Sequence, residues 1–165
     1  MRSLLAWIFF VFPLLSAQAQ TLRIDGITIS NYGIYSADPV ERLVAPETAT
    51  GHVAEYKNFR LLTQTETVPG RKGLRFGVEY VVNGAPKSKT VSITWITRFP
   101  RPGLRLPSSE NLSFNKVERE VKIGTRNYRV YSFDNDWEIV PGDWTFEFYY
   151  QDRKIGEKRF TVVAP

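Results

Sequence analysis

Apolar and polar residues alternate along most of this chain. The pattern is clearest in segments 76–82, 91–99 and 144–150, where nearly every second residue is aliphatic or aromatic. Successive side chains of a β-strand point to opposite faces, so each segment predicts a strand with one buried face. β-branched and aromatic residues are abundant in these segments, and both types suit a pleated surface.

Stretches rich in Gly, Pro and Asn separate the alternating segments and mark turns. Together they predict nine strands, at residues 22–35, 54–67, 74–83, 88–99, 114–122, 127–133, 137–140, 144–151 and 156–163. Two longer stretches, 36–52 and 100–112, contain Pro and Gly and are predicted to be irregular loops. Short strands with frequent turns are typical of an antiparallel sandwich or barrel. Variable strand lengths and the two long loops favour the sandwich.

One segment fits two kinds of secondary structure. Phe114, Val117 and Val121 have the i, i+3, i+7 spacing of a helix face, and Glu118 and Lys122 would pair at i, i+4. A strand over 114–122 is the favoured interpretation, and a short helix over 113–123 is the alternative.

The N-terminus has the features of a secretory leader. Arg2 precedes an apolar run from Leu4 to Leu15, and Ser16-Ala17-Gln18-Ala19 supplies the small residues that signal peptidase accepts. The run is shorter than the roughly 20 residues that span a bilayer, which disfavours an uncleaved anchor. We therefore predict a signal peptide at 1–19 and a single β-sandwich domain at 20–165. The mature protein would be periplasmic or secreted and have no membrane span.

The chain has no cysteine. Disulfides and a lipidated N-terminal cysteine are therefore excluded, although an exported protein would be free to form disulfides. The domain must be held together by an ordinary hydrophobic core.

The C-terminal third resembles a known type of domain. A turn and aromatic strand over 140–148, followed by a returning strand over 154–162, are similar to the closing hairpin of bacterial immunoglobulin-like domains. With the motifs at 31–35, 74–77 and 98–100, they make the chain resemble an uncharacterised bacterial exported family, domain of unknown function 3859. The resemblance implies an all-β, immunoglobulin-like antiparallel β-sandwich in the cell envelope. It assigns no functional residues.

Charge is unevenly distributed along the chain. The formal net charge is +5, and residues 98–129 hold eight basic residues but only three acidic ones. Arginine makes planar, bidentate contacts with carboxylate or phosphate. The segment predicts a binding site for an acidic protein or an anionic envelope component, and nucleic acid is not expected for an exported protein. The candidate contact residues are Arg98, Arg101, Arg105, Lys116, Arg119, Lys122 and Arg126. The alternative is a solvated surface neutralised by neighbouring glutamates.

Catalytic signals are weak. His52 is the only histidine, and no G-x-S-x-G motif accompanies it. The acidic residues near 134–138 lack the spacing of a calcium loop and are also common turn formers. We predict no cofactor or metal and favour a non-catalytic binding domain. A hydrolase using carboxylates and His52, or an envelope assembly or chaperone factor, remains the alternative.

Overall fold

The computed structural model describes residues 21–108 and 110–164, so the predicted leader lies outside the described residues. Eleven strands and one 3-10 helix form in these ranges. They are β1 (Arg23–Val44), β2 (His52–Thr63), β3 (Thr67–Pro69), β4 (Arg75–Ala85), β5 (Thr90–Arg98), β6 (Leu104–Arg105), β7 (Asn111–Leu112), β8 (Phe114–Lys122), β9 (Arg126–Ser132), the helix Asp136–Glu138, β10 (Gly142–Tyr150) and β11 (Arg153–Val163). No helix among the described residues is long and apolar enough to cross a membrane.

The strands form two main sheets that pack face to face. The first has the order β2-β1-β4-β9, and the second has the order β3-β11-β10-β5-β8. All neighbours in these two sheets are antiparallel except β3, which runs parallel to β11. The predicted all-β antiparallel sandwich is therefore confirmed.

Aromatic side chains fill the centre of the sandwich. Phe76 of the first sheet is fully buried, and its ring centroid lies 5.3–5.7 Å from those of Trp144, Phe146 and Phe160 of the second sheet. The Trp144 indole nitrogen donates a hydrogen bond to the Val140 carbonyl at 2.9 Å. The alternating residues of 76–82 and 144–148 thus form the core that their pattern predicted.

The first strand extends far beyond its predicted end. The predicted loop at 36–52 is wrong over residues 36–44, which continue β1 and pair with β2. Pairing with β4 stops at Tyr35, and the register between β1 and β2 is irregular at 34–35, 36–38 and 39–41, which is where a strand can bend. We call residues 36–60 the arm. Much of its first strand is exposed, which removes the alternating signal that predicted the other strands.

The arm packs back onto the sandwich and reaches both sheets. The Phe59 ring stacks on Tyr128 of β9 with centroids 4.3 Å apart. Near the arm's tip, the Lys116 amide of β8 donates to the Glu47 carbonyl at 2.9 Å, and the Ala49 amide donates to Asn115 Oδ1 at 2.8 Å. The arm therefore connects β9, an edge of the first sheet, with β8, an edge of the second.

In three other segments the observed secondary structure can be compared with the prediction. Residues 114–122 form a strand, because all nine residues pair with β5, and the helix alternative is wrong. The predicted strand at 137–140 is also wrong: Asp136–Glu138 is a 3-10 turn that buries Glu138. Within the predicted loop 100–112, the short strands β6 and β7 pair with each other.

Candidate functional site

The seven predicted contact residues are spread over β5, β8, β9 and the loop between β5 and β8. Four of them pair with carboxylates: Arg98 with Glu147 at 2.8 Å, Lys116 with Glu47 at 3.7 Å, Arg119 with Glu55 at 2.7 Å, and Arg126 with Glu79 at 3.2 Å. Among the described residues, no carboxylate lies within 4.0 Å of the charged nitrogens of Arg101, Arg105 or Lys122. The segment is therefore partly neutralised within the fold.

One of these cations, Arg98, lies over an exposed aromatic ring. Phe114 begins β8, is 40% exposed and faces Arg98 across the β5–β8 pair. The Arg98 guanidinium lies 5.7 Å from the Phe114 ring centroid, within the range of a cation–π contact. Lys116 lies two residues along the same strand and therefore on the same face. We define the Phe114 patch as Phe114, Arg98 and Lys116 together with Arg101 and Arg105, which lie on the loop that joins β5 to β8.

The loop that carries Arg101 and Arg105 is held in place by the fold. Leu104 is fully buried and anchors the loop in the core. The Gly103 amide donates to the Pro100 carbonyl at 2.7 Å, and the Phe99 amide donates to the Ser113 carbonyl at 3.0 Å. Lys122 lies at the opposite end of β8, eight residues from Phe114, and does not belong to the patch.

A buried carboxylate fixes Arg98. Glu147 of β10 is 5% exposed and accepts hydrogen bonds from Arg98 Nε and Lys154 Nζ, both at 2.8 Å, and from the Tyr149 hydroxyl at 3.3 Å. Burial by itself raises the pKa of Glu147, but Lys154 and Arg98 together outweigh burial and lower it below 4.5. The carboxylate is therefore ionised at neutral pH and holds Arg98 beside Phe114.

This lowered pKa predicts how stability depends on pH. Because the folded pKa lies below the unfolded value, Glu147 stabilises the fold above about pH 4.5, and this contribution is lost as the pH falls through the folded pKa. We expect Glu147→Gln to cost about 1–3 kcal/mol at pH 7, as for hydrogen bonds to a charged group, and much less at pH 3. Urea unfolding at both pH values measures this. Glu157→Gln is the control, because Glu157 is an exposed partner of the same Lys154 and should change stability little at either pH. Equal losses for Glu147→Gln at the two pH values would contradict the prediction.

His52 lies on a small cavity with two carboxylates. It is exposed, its Nδ1 lies 3.1 Å from the Thr50 carbonyl, and with Asp134 and Glu138 it lines a cavity of about 60 Å³. Burial raises the pKa of Glu138, whose oxygens accept the Tyr131 hydroxyl at 3.0 Å and the Asn135 amide at 2.7 Å. Sites for drug-sized ligands usually measure about 300 Å³ or more, and the substrate of a hydrolase must fit on both sides of the bond that is cleaved, so this cavity offers little support to the carboxylate hydrolase.

The acidic residues near 134–143 serve separate local contacts. Asp134 pairs with Arg42 at 3.5 Å, Asp136 with Lys72 at 3.7 Å, and Asp143 accepts the Thr161 hydroxyl at 3.1 Å. Over the described ranges, no group of three or more His, Cys, Asp or Glu side chains is placed to hold a metal ion.

Sequence reasoning missed a second group of residues under the arm. Arg129 of β9 is 5% exposed and lines the cavities between the arm and the two edge strands. Burial lowers its pKa to about 10, so it is still charged at neutral pH. Alternate side chains of a strand share a face, so Arg129 lies on the same inward face as the aromatic residues Tyr131 and Phe133. This alternation is the sequence feature from which its burial could have been predicted.

Comparison with known structures defines the class of protein. The crystal structure of an immunoglobulin-like protein from Pseudomonas aeruginosa shares 25% identity with this chain, with a TM-score of 0.60. The alignment covers 90% of this chain and 100% of that one. Together with the two packed sheets, this likeness defines an immunoglobulin-like β-sandwich and confirms the fold class. The chain belongs to the family described as Domain of unknown function (DUF3859), which it matches over residues 25–162. The family resemblance noted from the sequence is therefore confirmed.

Two further comparisons add no functional information. A DNA-bound alkylpurine DNA glycosylase from Pseudomonas fluorescens shares 10% identity, covering 59% of this chain and 27% of that one. Its TM-score of 0.40 is too low to support any argument about fold or function. No curated protein matches this chain.

Proposed function

We propose that this protein is a non-catalytic binding domain of the bacterial cell envelope that recognises an acidic partner protein through the Phe114 patch. The observation that carries the proposal is an exposed phenylalanine covered by an arginine, with Arg101 and Arg105 on the loop that joins the strands of these two residues. Protein interfaces concentrate binding energy in buried aromatic and arginine residues, and this patch offers both. Arg101 and Arg105 supply charge for acidic side chains of the partner.

The patch is also prepared for binding by the fold. Glu147 fixes Arg98, and Leu104 anchors the loop of Arg101 and Arg105. Side chains and loops that are already ordered lose less conformational entropy when a partner binds. This favours the patch over strand addition at the open edge of β2, which carries Lys57, Arg60 and an irregular Asn58 with φ of 54°. Charged side chains and backbone irregularities at a sheet edge oppose pairing with another strand.

The patch can be tested by changing its aromatic and its free cations together. We expect the triple variant Phe114→Ala, Arg101→Glu, Arg105→Glu to bind an acidic protein from the native envelope at least about 30-fold more weakly, the loss of one interface hot spot. Affinity capture with quantitative mass spectrometry identifies the partner, and titration of the purified partner measures the loss.

The matched control is Lys122→Glu, which reverses a free cation at the far end of β8 and should leave binding unchanged. Equal binding by the triple variant and the unchanged chain would overturn the patch assignment. A patch-dependent ligand that is a lipopolysaccharide or another non-protein polyanion would overturn the proposed partner class.

The proposal places the protein in the periplasm or outside the cell, after removal of residues 1–19. We expect the protein isolated from its bacterial host to begin at Gln20, because small residues stand at 17 and 19. Intact-mass and N-terminal sequence measurements on fractionated cells check this. Replacing Ala19 with Arg should leave an uncleaved precursor, whereas an unprocessed wild-type chain in the cytoplasm would contradict the proposed location.

A further inference from the structure

A second cavity lies between the arm and the sandwich, and it is separate from the Phe114 patch. Its volume is about 100 Å³. We call it the arm pocket and define it by six of its lining residues: Glu55, Tyr56 and Phe59 from the arm, and Trp95, Arg119 and Arg129 from the sheets. A cavity of about 10–15 Å³ on this measure holds one water molecule, so the pocket has room for a small group such as a carboxylate.

Arg129 forms the inner wall of this pocket and has no carboxylate partner among the described residues. Its Nη2 donates to Thr97 Oγ1 and its Nη1 to the Val130 carbonyl, both at 2.7 Å. Its Nε is buried without an acceptor in the described part of the chain. A buried guanidinium is costly unless an anion and further hydrogen bonds compensate it. Neutral acceptors provide only part of that compensation here.

Arg119 brings a second cation to the same pocket. Its guanidinium lies 5.7 Å from the Trp95 ring centroid, and that of Arg129 lies 5.3 Å from the same centroid. Repulsion from Arg119 contributes to the lowered pKa of Arg129, as expected for neighbouring cations. The two guanidiniums therefore share one indole and one cavity.

The arm supplies a single carboxylate to these two cations. Glu55 contacts Arg119 Nη2 at 2.7 Å, and its side chain is 39% exposed. This contact demonstrates that a carboxylate fits against Arg119. Arg129 remains without a carboxylate, so the pocket carries an excess positive charge, and Glu55 in its wall is partly exposed to solvent.

We propose that the arm pocket is a binding site for a carboxylate-bearing ligand, which Arg119 and Arg129 hold beside the indole of Trp95. Charge-assisted hydrogen bonds to carboxylate are the strong interactions that a guanidinium makes, and the two hydrogen bonds to Thr97 and Val130 leave Arg129 with further N–H groups to donate. Glu55 competes with the ligand for Arg119. The site takes a small carboxylate, or the end group of a larger acid that enters past Glu55.

Acetate is the probe that tests this site, with NMR as the readout. We expect sodium acetate to shift the Trp95 indole N–H and the Arg129 Nε–H resonances of the ¹⁵N-labelled chain saturably, with the Trp95 signal assigned from a Trp95→Phe variant. Sodium chloride at equal ionic strength should not reproduce the shift. Removing the competing carboxylate with Glu55→Gln should tighten acetate binding by about fivefold, and Arg119→Gln should weaken it by about the same factor, each equivalent to about 1 kcal/mol.

Two controls make the result specific to the pocket. Lys116→Gln removes the ion pair between Lys116 of β8 and Glu47 of the arm, and neither residue lines the arm pocket. This variant should leave the affinity for acetate unchanged. Phe114→Ala should also leave it unchanged, so this test and that of the Phe114 patch succeed or fail separately. The absence of a saturable shift in both the unchanged chain and Glu55→Gln would overturn the proposal. Saturable binding of inorganic phosphate without binding of acetate would overturn the carboxylate assignment.

Discussion

We expect Phe76→Ala to lower the free energy of unfolding by about 3–5 kcal/mol, the usual cost of truncating a buried phenylalanine. Phe76 is completely buried and contacts aromatic side chains of both sheets, including Tyr131, Trp144 and Phe160. The neighbouring rings are carried by strands of both sheets, so they cannot move far enough to fill the space that the phenyl ring leaves. The remaining cavity adds its own free-energy cost to that of the lost apolar burial. Urea unfolding followed by tryptophan fluorescence measures the loss.

Phe114→Ala is the matched control for this prediction. It deletes the same side chain from an exposed position on β8, and we expect stability to change by no more than about 0.5 kcal/mol. Comparable losses for the two variants would contradict the assignment of Phe76 to the core and Phe114 to the surface. The control also establishes that loss of binding by a Phe114 variant is not a folding defect.

The second large effect is expected from Gly77→Ala. A β-carbon at Gly77 would lie 2.0 Å from the Arg129 carbonyl oxygen and 2.7 Å from the Val130 α-carbon, both in the backbone of β9. Backbone cannot move aside as a flexible side chain can, so β9 must shift away from β4. We expect a loss of about 3 kcal/mol, the upper part of the range for overpacking. Faster amide hydrogen exchange along β9 should accompany it.

Gly51→Ala separates this clash from the general cost of replacing glycine. Gly51 has a positive φ of 69°, but a β-carbon there would meet nothing within 4 Å. We expect a conformational cost of about 1–2 kcal/mol and no change in hydrogen exchange along β9. A smaller loss for Gly77→Ala than for Gly51→Ala would contradict the close approach of β9 to β4.

The strands that the sequence predicts are those with one buried face and one exposed face. Residues 76–82 and 144–150 alternate because one side of each strand faces the aromatic core. The arm lacks that contrast: Val40 and Val44 are exposed apolar residues, and Pro39 lies within a strand. Its strands are specified by pairing with each other and by contacts with residues distant in the sequence, which leave no period-two signature.

The candidate sites, too, could be predicted only in part from the sequence. The basic segment could be located by counting charges, but its neutralising carboxylates could not, since Glu55 and Glu147 lie far from their arginines in the sequence. In the sequence Arg129 is one of the eight basic residues of segment 98–129. In the fold it points inward and is buried, unlike the exposed cations of that segment. Which cations remain available to an anion depends on tertiary contacts that composition does not encode.

The central claim is that the arm, which extends β1 beyond its pairing with β4, docks on β8 of the second sheet. The chain has no native cysteine, so a pair of introduced cysteines tests this without mispairing. Glu47 and Lys116 meet through both backbone and side chains, which places their α-carbons within reach of a disulfide. We expect Glu47→Cys with Lys116→Cys to oxidise to an intramolecular disulfide in the folded protein, whereas Glu47→Cys with Lys122→Cys keeps two free thiols. Two free thiols in the first variant, or a disulfide in the second, would contradict the docked arm.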